Sequence, residues 1–206
     1  MNKDDSLHIV LDLDETLICF VESTVWDGLT DTEQKNYDST KIMDGVCVFR
    51  PHLKIFLDTI FTLTPDVFIW TRGTHDYAIS VLNAIRQKTG RTFKYLFSRE
   101  QCNEAFALNG YDKDLEYLWN RDGFGFTKRN TILIDDLKTN TQNPNNRKNS
   151  IQILPFLISP LINLSDDNTL LLVLNILYSV KNMYSKDLNK SIQHPFLFRT
   201  SCVNCN

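Results

Sequence analysis

Residues Leu7 to Leu17, L-H-I-V-L-D-L-D-E-T-L, form an apolar run that ends in two aspartates and a threonine. The run is too short to cross a membrane. Read as a strand, it is apolar enough to be covered on both faces. Period-two geometry then puts Asp12 and Asp14 on one side of the backbone, at the strand's carboxyl end. Open α/β sheets bind their ligands at that edge.

Two carboxylates held this close repel and raise each other's pKa unless a cation or a shared proton offsets them. A hard divalent ion such as Mg²⁺ supplies that charge. With one carboxylate attacking phosphorus and the other serving as acid to the leaving oxygen, the pair suits a two-step phosphoryl transfer through an aspartyl-phosphate. An EF-hand loop also begins D-x-D, but Leu17 stands where its glycine belongs and Ser23 where its bidentate glutamate belongs, which excludes that reading. Taken alone, the stretch would serve equally as a strand closing into a solvated turn, so the rest of the chain decides.

A chain of 206 residues suits one domain with room for an insertion, large enough to bury roughly 70% of its unfolded surface. Five scattered cysteines, Cys19, Cys47, Cys102, Cys202 and Cys205, fit a reducing compartment better than a disulfide framework. No signal peptide is read at the start, and Thr169 to Val180, the longest apolar stretch, is too short to span and carries Asn175. A formal charge of -3 gives no general attraction to nucleic acid. No membrane or nucleic-acid partner is therefore expected.

Further along, Val21 to Asp44 reads as a loop with a hairpin, and Val46 to Phe49 as a short strand. Pro51 then opens a helix whose stripe is Leu53, Phe56, Leu57 and Ile60. Val67 to Trp70 is a second buried strand ending in T-R-G, which gives Thr71 the place Asp12 has in its own strand. Thr74 can cap the next helix, and Gly90 closes it. His75 falls in that helix's first turn with a surface role, and His8 reads as a satisfied core residue. Phe93 to Phe97 looks like a strand, and the turn at Asn109-Gly110 favours a small hairpin insertion between Phe93 and Tyr111. Asp114 can cap a helix through Leu115, Leu118 and Trp119, with Lys113 just before it. Asn130 to Asp136 repeats the opening theme, an apolar strand ending in paired acids. Thr139 to Ser150 reads as a surface loop, Ile151 to Leu154 as a last strand, and Ser165 to Asp167 as the start of a helix through about Tyr184. Cys202 and Cys205 make at most half a zinc site and read as part of an ordinary tail.

D-L-D-E-T, W-T-R-G, K-D-L and I-D-D, in that order and each at a strand end or helix start, resemble the haloacid dehalogenase superfamily. R-P-H-L-K-I-F-L, L-F-S-R-E-Q-C and Y-D-K-D-L look like its phosphatases that act on the C-terminal domain of RNA polymerase II. The resemblance covers roughly Leu7 to Val180. It implies Asp12 as nucleophile and metal ligand, and Asp14 as general acid and base that ligates through its carbonyl. Thr71 would bind phosphoryl oxygens and Lys113 would neutralise their charge. Asp136 would complete a Mg²⁺ site, with Asp135 orienting Lys113 or a metal-bound water. Arg99 matches a position that touches substrate phosphate in the smaller members. Lys138 competes for the lysine role, but K-D-L matches the motif at Lys113. Asp135-Asp136 replaces the Asp-Asn of the small members, and Arg72 follows Thr71 where a small residue is common.

The expected fold is therefore a three-layer, Rossmann-like α/β domain over residues 1–185, with a central parallel sheet, a small hairpin insertion and no large cap. Residues 186–206 are read as a C-terminal tail. A bare cleft admits an extended peptide, which points to a phosphorylated protein tail carrying phosphoserine or phosphothreonine. The resemblance, with the cysteine usage, implies an intracellular setting, nuclear or cytoplasmic. The alternatives are a phosphatase of a small molecule or nucleic-acid end, and a non-catalytic docking module of the same fold, as in a mitochondrial import subunit.

Overall fold

A computed structural model of the chain describes residues 6–158 and 166–186. β1 (His8–Leu11) is buried at every position. The chain then leaves for a small antiparallel unit made of β2 (Ile18–Glu22), the short helices α1 (Ser23–Trp26) and α2 (Asp31–Lys35), β3 (Ser39–Ile42) and β4 (Gly45–Phe49). It returns through α3 (Leu53–Leu63), β5 (Val67–Trp70), α4 (His75–Thr89), β6 (Tyr95–Phe97), α5 (Arg99–Asn109) and α6 (Leu115–Trp119). β7 (Thr131–Asp135), α7 (Lys138–Thr141), β8 (Ser150–Gln152) and α8 (Thr169–Lys186) complete it. The main sheet has five parallel strands in the order β6-β5-β1-β7-β8.

Alternation along β1 divides the core. Ile9 and Leu11 join the cluster that packs α3, α4 and α8 on one face, through Phe56, Ile60, Val81, Ile85, Val173 and Leu177. Val10 joins the cluster on the other face, with Phe68 and Trp70 from β5, Cys102 from α5 and Leu118 from α6. Both faces are covered, so the strands read as unbroken apolar runs. Strands on one side of β1 are followed by strands on the other, and the carboxyl ends diverge at that reversal to leave a crevice.

The local chemistry is as the sequence implies at several ends. The Thr74 hydroxyl accepts from the Tyr77 amide, Gly90 ends α4 with φ 76°, and the Asp114 carboxylate accepts from the Glu116 amide. His8 is buried and its Nε2 lies 3.2 Å from the Ser6 hydroxyl, while Nδ1 has no partner among the described residues. His75 is exposed in the first turn of α4.

Two expectations need correction. The hairpin insertion is not between Phe93 and Tyr111. That stretch holds β6 and α5, and Asn109-Gly110 ends the helix with Gly110 at φ 76° rather than turning a hairpin. The inserted hairpin is β3–β4, within the small unit that follows β1. Residues Thr139 to Ser150 are not a surface loop, because Asn140, Thr141, Asn143, Asn146 and Asn149 are buried. Thr71 directly follows β5 as Asp12 directly follows β1, so each has the expected place in its own strand, although the two are offset across the sheet. Leu11 pairs with Ile69, so extending that register sets Trp70 beside Asp12 and Thr71 one step beyond. Residues Cys202 and Cys205 lie outside the described residues.

Arg50, at the end of β4, ties the carboxyl edge of the sheet to distant chain. Its buried guanidinium donates to Asp167 (2.9 Å), to the carbonyls of Glu15 (3.3 Å) and Thr16 (3.1 Å), and to that of Leu154 (2.9 Å). The turn it holds is strained, with Glu15 at φ 58°. Replacing Arg50 by methionine leaves the Asp167 carboxylate and three carbonyls without this donor. Urea denaturation of Arg50→Met should show a loss of about 3–5 kcal/mol. A loss below about 1 kcal/mol would contradict this role.

Candidate active site

Three strand ends and one turn deliver the site. Asp12 follows β1, Thr71 follows β5, and Asp135 and Asp136 lie at the end of β7. Lys113 comes from the turn between α5 and α6. Its ammonium is 1% exposed and sits between two carboxylates, 2.7 Å from Asp12 Oδ1 and 2.8 Å from Asp135 Oδ2. Burial works against this ammonium, but Asp12 and Asp135 outweigh it and hold its pKa above that of ordinary lysine. Burial pushes the Asp12 carboxyl up, and Lys113 pulls it back.

The turn that carries Lys113 is fixed by the asparagine-rich segment. Asn146 accepts from the Leu115 amide (2.8 Å) and donates to the Lys113 carbonyl, while Asn145 donates to Asp114. Asn140 donates to both oxygens of Asp135 (3.1 Å each), and the Leu137 amide donates to Oδ1 (2.8 Å). Asp135 is thus surrounded by donors, which spends its lone pairs on holding Lys113.

Asp14 occupies a different environment. Its carboxylate accepts from the Thr71 hydroxyl (3.4 Å) and from the Tyr77 phenol. Burial raises its pKa, and these hydrogen bonds oppose the rise. A raised carboxyl suits an acid that must hold a proton near neutral pH. Tyr77 is the contact that sequence reasoning missed. It sits one turn into α4, its ring meets Phe20 edge-on at 5.5 Å, and a Cβ on Gly73 would come within 2.5 Å of it. The only signal was its spacing from T-R-G, which the apolar stripe of α4 masked.

Carboxylate oxygens of Asp12, Asp135 and Asp136 lie within 4.8 Å of one another. Lys113 offsets one negative charge of the three. Asp136 receives a long hydrogen bond from the Thr16 hydroxyl (3.4 Å) and one from its own backbone, and burial, with the charge of Asp135, pushes its carboxyl up to about 6. Buried oxygen donors with excess negative charge fit a hard divalent cation. Because the oxygens of Asp135 are already hydrogen-bonded, Asp12 and Asp136 are the better ligands. Arg99 is not among the carboxylates. It is exposed, and its Nε donates to the Arg72 carbonyl (2.9 Å) beside the T-R-G turn. Lys138 is exposed too, and makes no ion pair among the described residues.

With this geometry, the likeness to known proteins can be placed. A family model of NLI interacting factor-like phosphatases matches residues 7–203. The chain belongs to this family. A structure of the fission yeast RNA polymerase II CTD phosphatase Fcp1 bound to beryllium fluoride is similar, with 21% identity, a TM-score of 0.53, and 90% of this chain and 55% of that one covered. A second structure of Fcp1, described as an essential RNA polymerase II CTD phosphatase, gives 23% identity, a TM-score of 0.54, and coverage of 90% and 54%. The chain thus spans about half the length of these neighbours, and at these identities they show the α/β fold of the haloacid dehalogenase type. No curated protein matches the chain. Among the described residues, no helix is long and apolar enough to cross a membrane.

Asp136 provides a test of the electrostatics. Its folded pKa, about 6, is above the ordinary carboxylate value, so the folded state binds the proton more tightly. Its stabilising contribution is complete below about pH 4 and is lost as pH rises through about 6. In metal-free buffer at pH 7, Asp136→Asn should therefore be more stable than the native protein by up to about 3 kcal/mol. Urea unfolding at pH 4 should show this gain gone, and a gain independent of pH would contradict it.

Proposed function

We propose that the protein is a Mg²⁺-dependent phosphatase that hydrolyses phosphoserine or phosphothreonine in a protein tail, with Asp12 as nucleophile. The observation that carries this reading is the buried Lys113 ammonium 2.7 Å from Asp12, at the carboxyl edge of the parallel sheet. A carboxylate so placed has a fixed cation beside the position where a transferring phosphoryl group must sit.

In the first step a carboxylate oxygen of Asp12 attacks phosphorus and the bond to the ester oxygen breaks. Asp14 gives its proton to that oxygen, releasing the alcohol and leaving an acyl phosphate on Asp12. In the second step Asp14, now ionised, takes a proton from water. The water oxygen attacks phosphorus, and the bond to Asp12 breaks to release phosphate. Lys113 offsets charge on the phosphoryl oxygens in both steps, and Thr71, 3.4 Å from Asp14, is placed to donate to them. Asp12 and Asp136 would hold Mg²⁺, which when bound neutralises the carboxylates and the phosphoryl group. Asp135 orients Lys113. Arg99, at the mouth of the site, would meet the substrate outside the reacting centre. The peptide substrate is supported by the family and by the likeness in fold to two structures of a CTD phosphatase.

Phosphate release from a phosphoserine peptide that copies the polymerase tail tests this reading. Release should require Mg²⁺ and fall at least about 10³-fold in Asp12→Asn. Hydrolysis of a small aryl phosphate without hydrolysis of the peptide would keep the chemistry and remove the substrate. Inactivity on both would leave the docking module. Tyr77→Phe removes one donor to Asp14 while keeping the ring. It should lower kcat by about 10-fold with a smaller change in KM, and an unchanged kcat would show that the phenol does not position the acid.

A further inference from the structure

A cleft of about 710 Å³ opens between α5 and α7, lined among others by Arg72, Phe106, Tyr111, Asp112, Lys138 and Asn140; the carboxylates of the site do not line it, and Asn140 links it to Asp135. Its walls are chain neighbours of the site. Arg72 follows Thr71, Asp112 precedes Lys113, and Asn140 holds Asp135. The cleft is much larger than one phosphate and is of the size that takes a small ligand or a few residues of peptide.

Its charge runs against that of the chain. The protein carries a formal -3, but the cleft holds Arg72 and Lys138 against the single carboxylate of Asp112. Arg72 and Asp112 pair with each other, which leaves Lys138 with no ion pair among the described residues. The Lys138 side chain is exposed and makes no hydrogen bond or ion pair to another segment among the described residues. Two aromatic side chains face the same space, Phe106 at 57% and Tyr111 at 38% exposure. A cation with no ion pair among the described residues, next to exposed rings in a cleft that Asn140 links to Asp135, suits an extended chain that carries one anion into the site and another into the cleft.

We propose that the cleft between α5 and α7 is a second anion subsite, which takes a second phosphate on the same phosphopeptide through Lys138. The inference rests on the phosphopeptide reading above and deepens it. Lys138 is then a specificity residue and takes no part in the chemistry. The apolar walls receive the residues between the two phosphates, and the number of those residues is set by reach, about 3.3 Å each when extended.

Fluorescent peptides of one sequence test this, carrying one phosphoserine alone or a second placed two to six residues to either side. Affinity is read by anisotropy on the native protein in chelator, so that no peptide is consumed. At one spacing the doubly phosphorylated peptide should bind about tenfold more tightly than the single one. The gain should vanish in Lys138→Ala, survive in Lys138→Arg and shrink as salt is raised. No gain at any spacing, a gain that persists in Lys138→Ala, or no binding of any peptide overturns the subsite. A glutamate that matches the second phosphate overturns phosphate as its occupant. Aryl phosphate turnover with Mg²⁺ is scored separately. A gain in affinity without turnover removes the phosphatase and keeps the subsite, whereas turnover without a gain removes the subsite alone.

Discussion

A buried ammonium is the constraint on which the rest depends. Removing a lysine from water costs several kcal/mol unless anions and hydrogen bonds replace the solvent. Here Asp12 and Asp135 do so at 2.7 and 2.8 Å, and each in turn needs the ammonium to be tolerated inside the fold. The support extends outward, from Asn140 to Asp135 and from Asn146 to the backbone of Lys113. Sheet edge, α5–α6 turn and asparagine-rich segment are thereby locked to one another. The same contacts that stabilise this region aim a cation at the oxygen that would attack.

Two aspartates separated by one residue acquire different chemistry because their surroundings differ. Asp12 is buried, which raises its carboxyl, and the ammonium it faces opposes that rise. Asp14 instead meets the hydroxyls of Thr71 and Tyr77, and burial raises its carboxyl against the pull of these donors. Under the proposed mechanism, the fixed cation beside Asp12 assigns it attack, and the hydroxyl-lined Asp14 is left to carry the proton. The offset of one residue in register between β1 and β5 contributes, since it carries Thr71 past Asp12 to Asp14.

The strands were legible because burial on both faces writes an unbroken apolar run, and β1, β5 and β7 fall where those runs end in polar groups. Family motifs named Asp12, Asp14, Thr71, Lys113 and Asp136, and the structure brings all five to one edge. Their chemical roles rest on that placement and on the resemblance. What the sequence hid has physical reasons. Asn109-Gly110 is as good a helix stop as a hairpin turn, because both use glycine at positive φ, and α5 has too weak an apolar stripe to break the tie. Amides satisfied inside a fold look like amides in water, so the buried asparagines read as loop. Tyr77 belongs to the edge of an amphipathic helix, and only the tertiary fold turns its hydroxyl toward Asp14.

The most direct measurement is of a covalent bond to Asp12. An acyl phosphate is reduced by borohydride, which converts the aspartate to homoserine and marks the residue for mass spectrometry. The account predicts that quenching the protein during turnover of an aryl phosphate marks Asp12 and leaves Asp14 unmodified. A mark at another side chain, or steady turnover with no marked residue at any quench time, would contradict it.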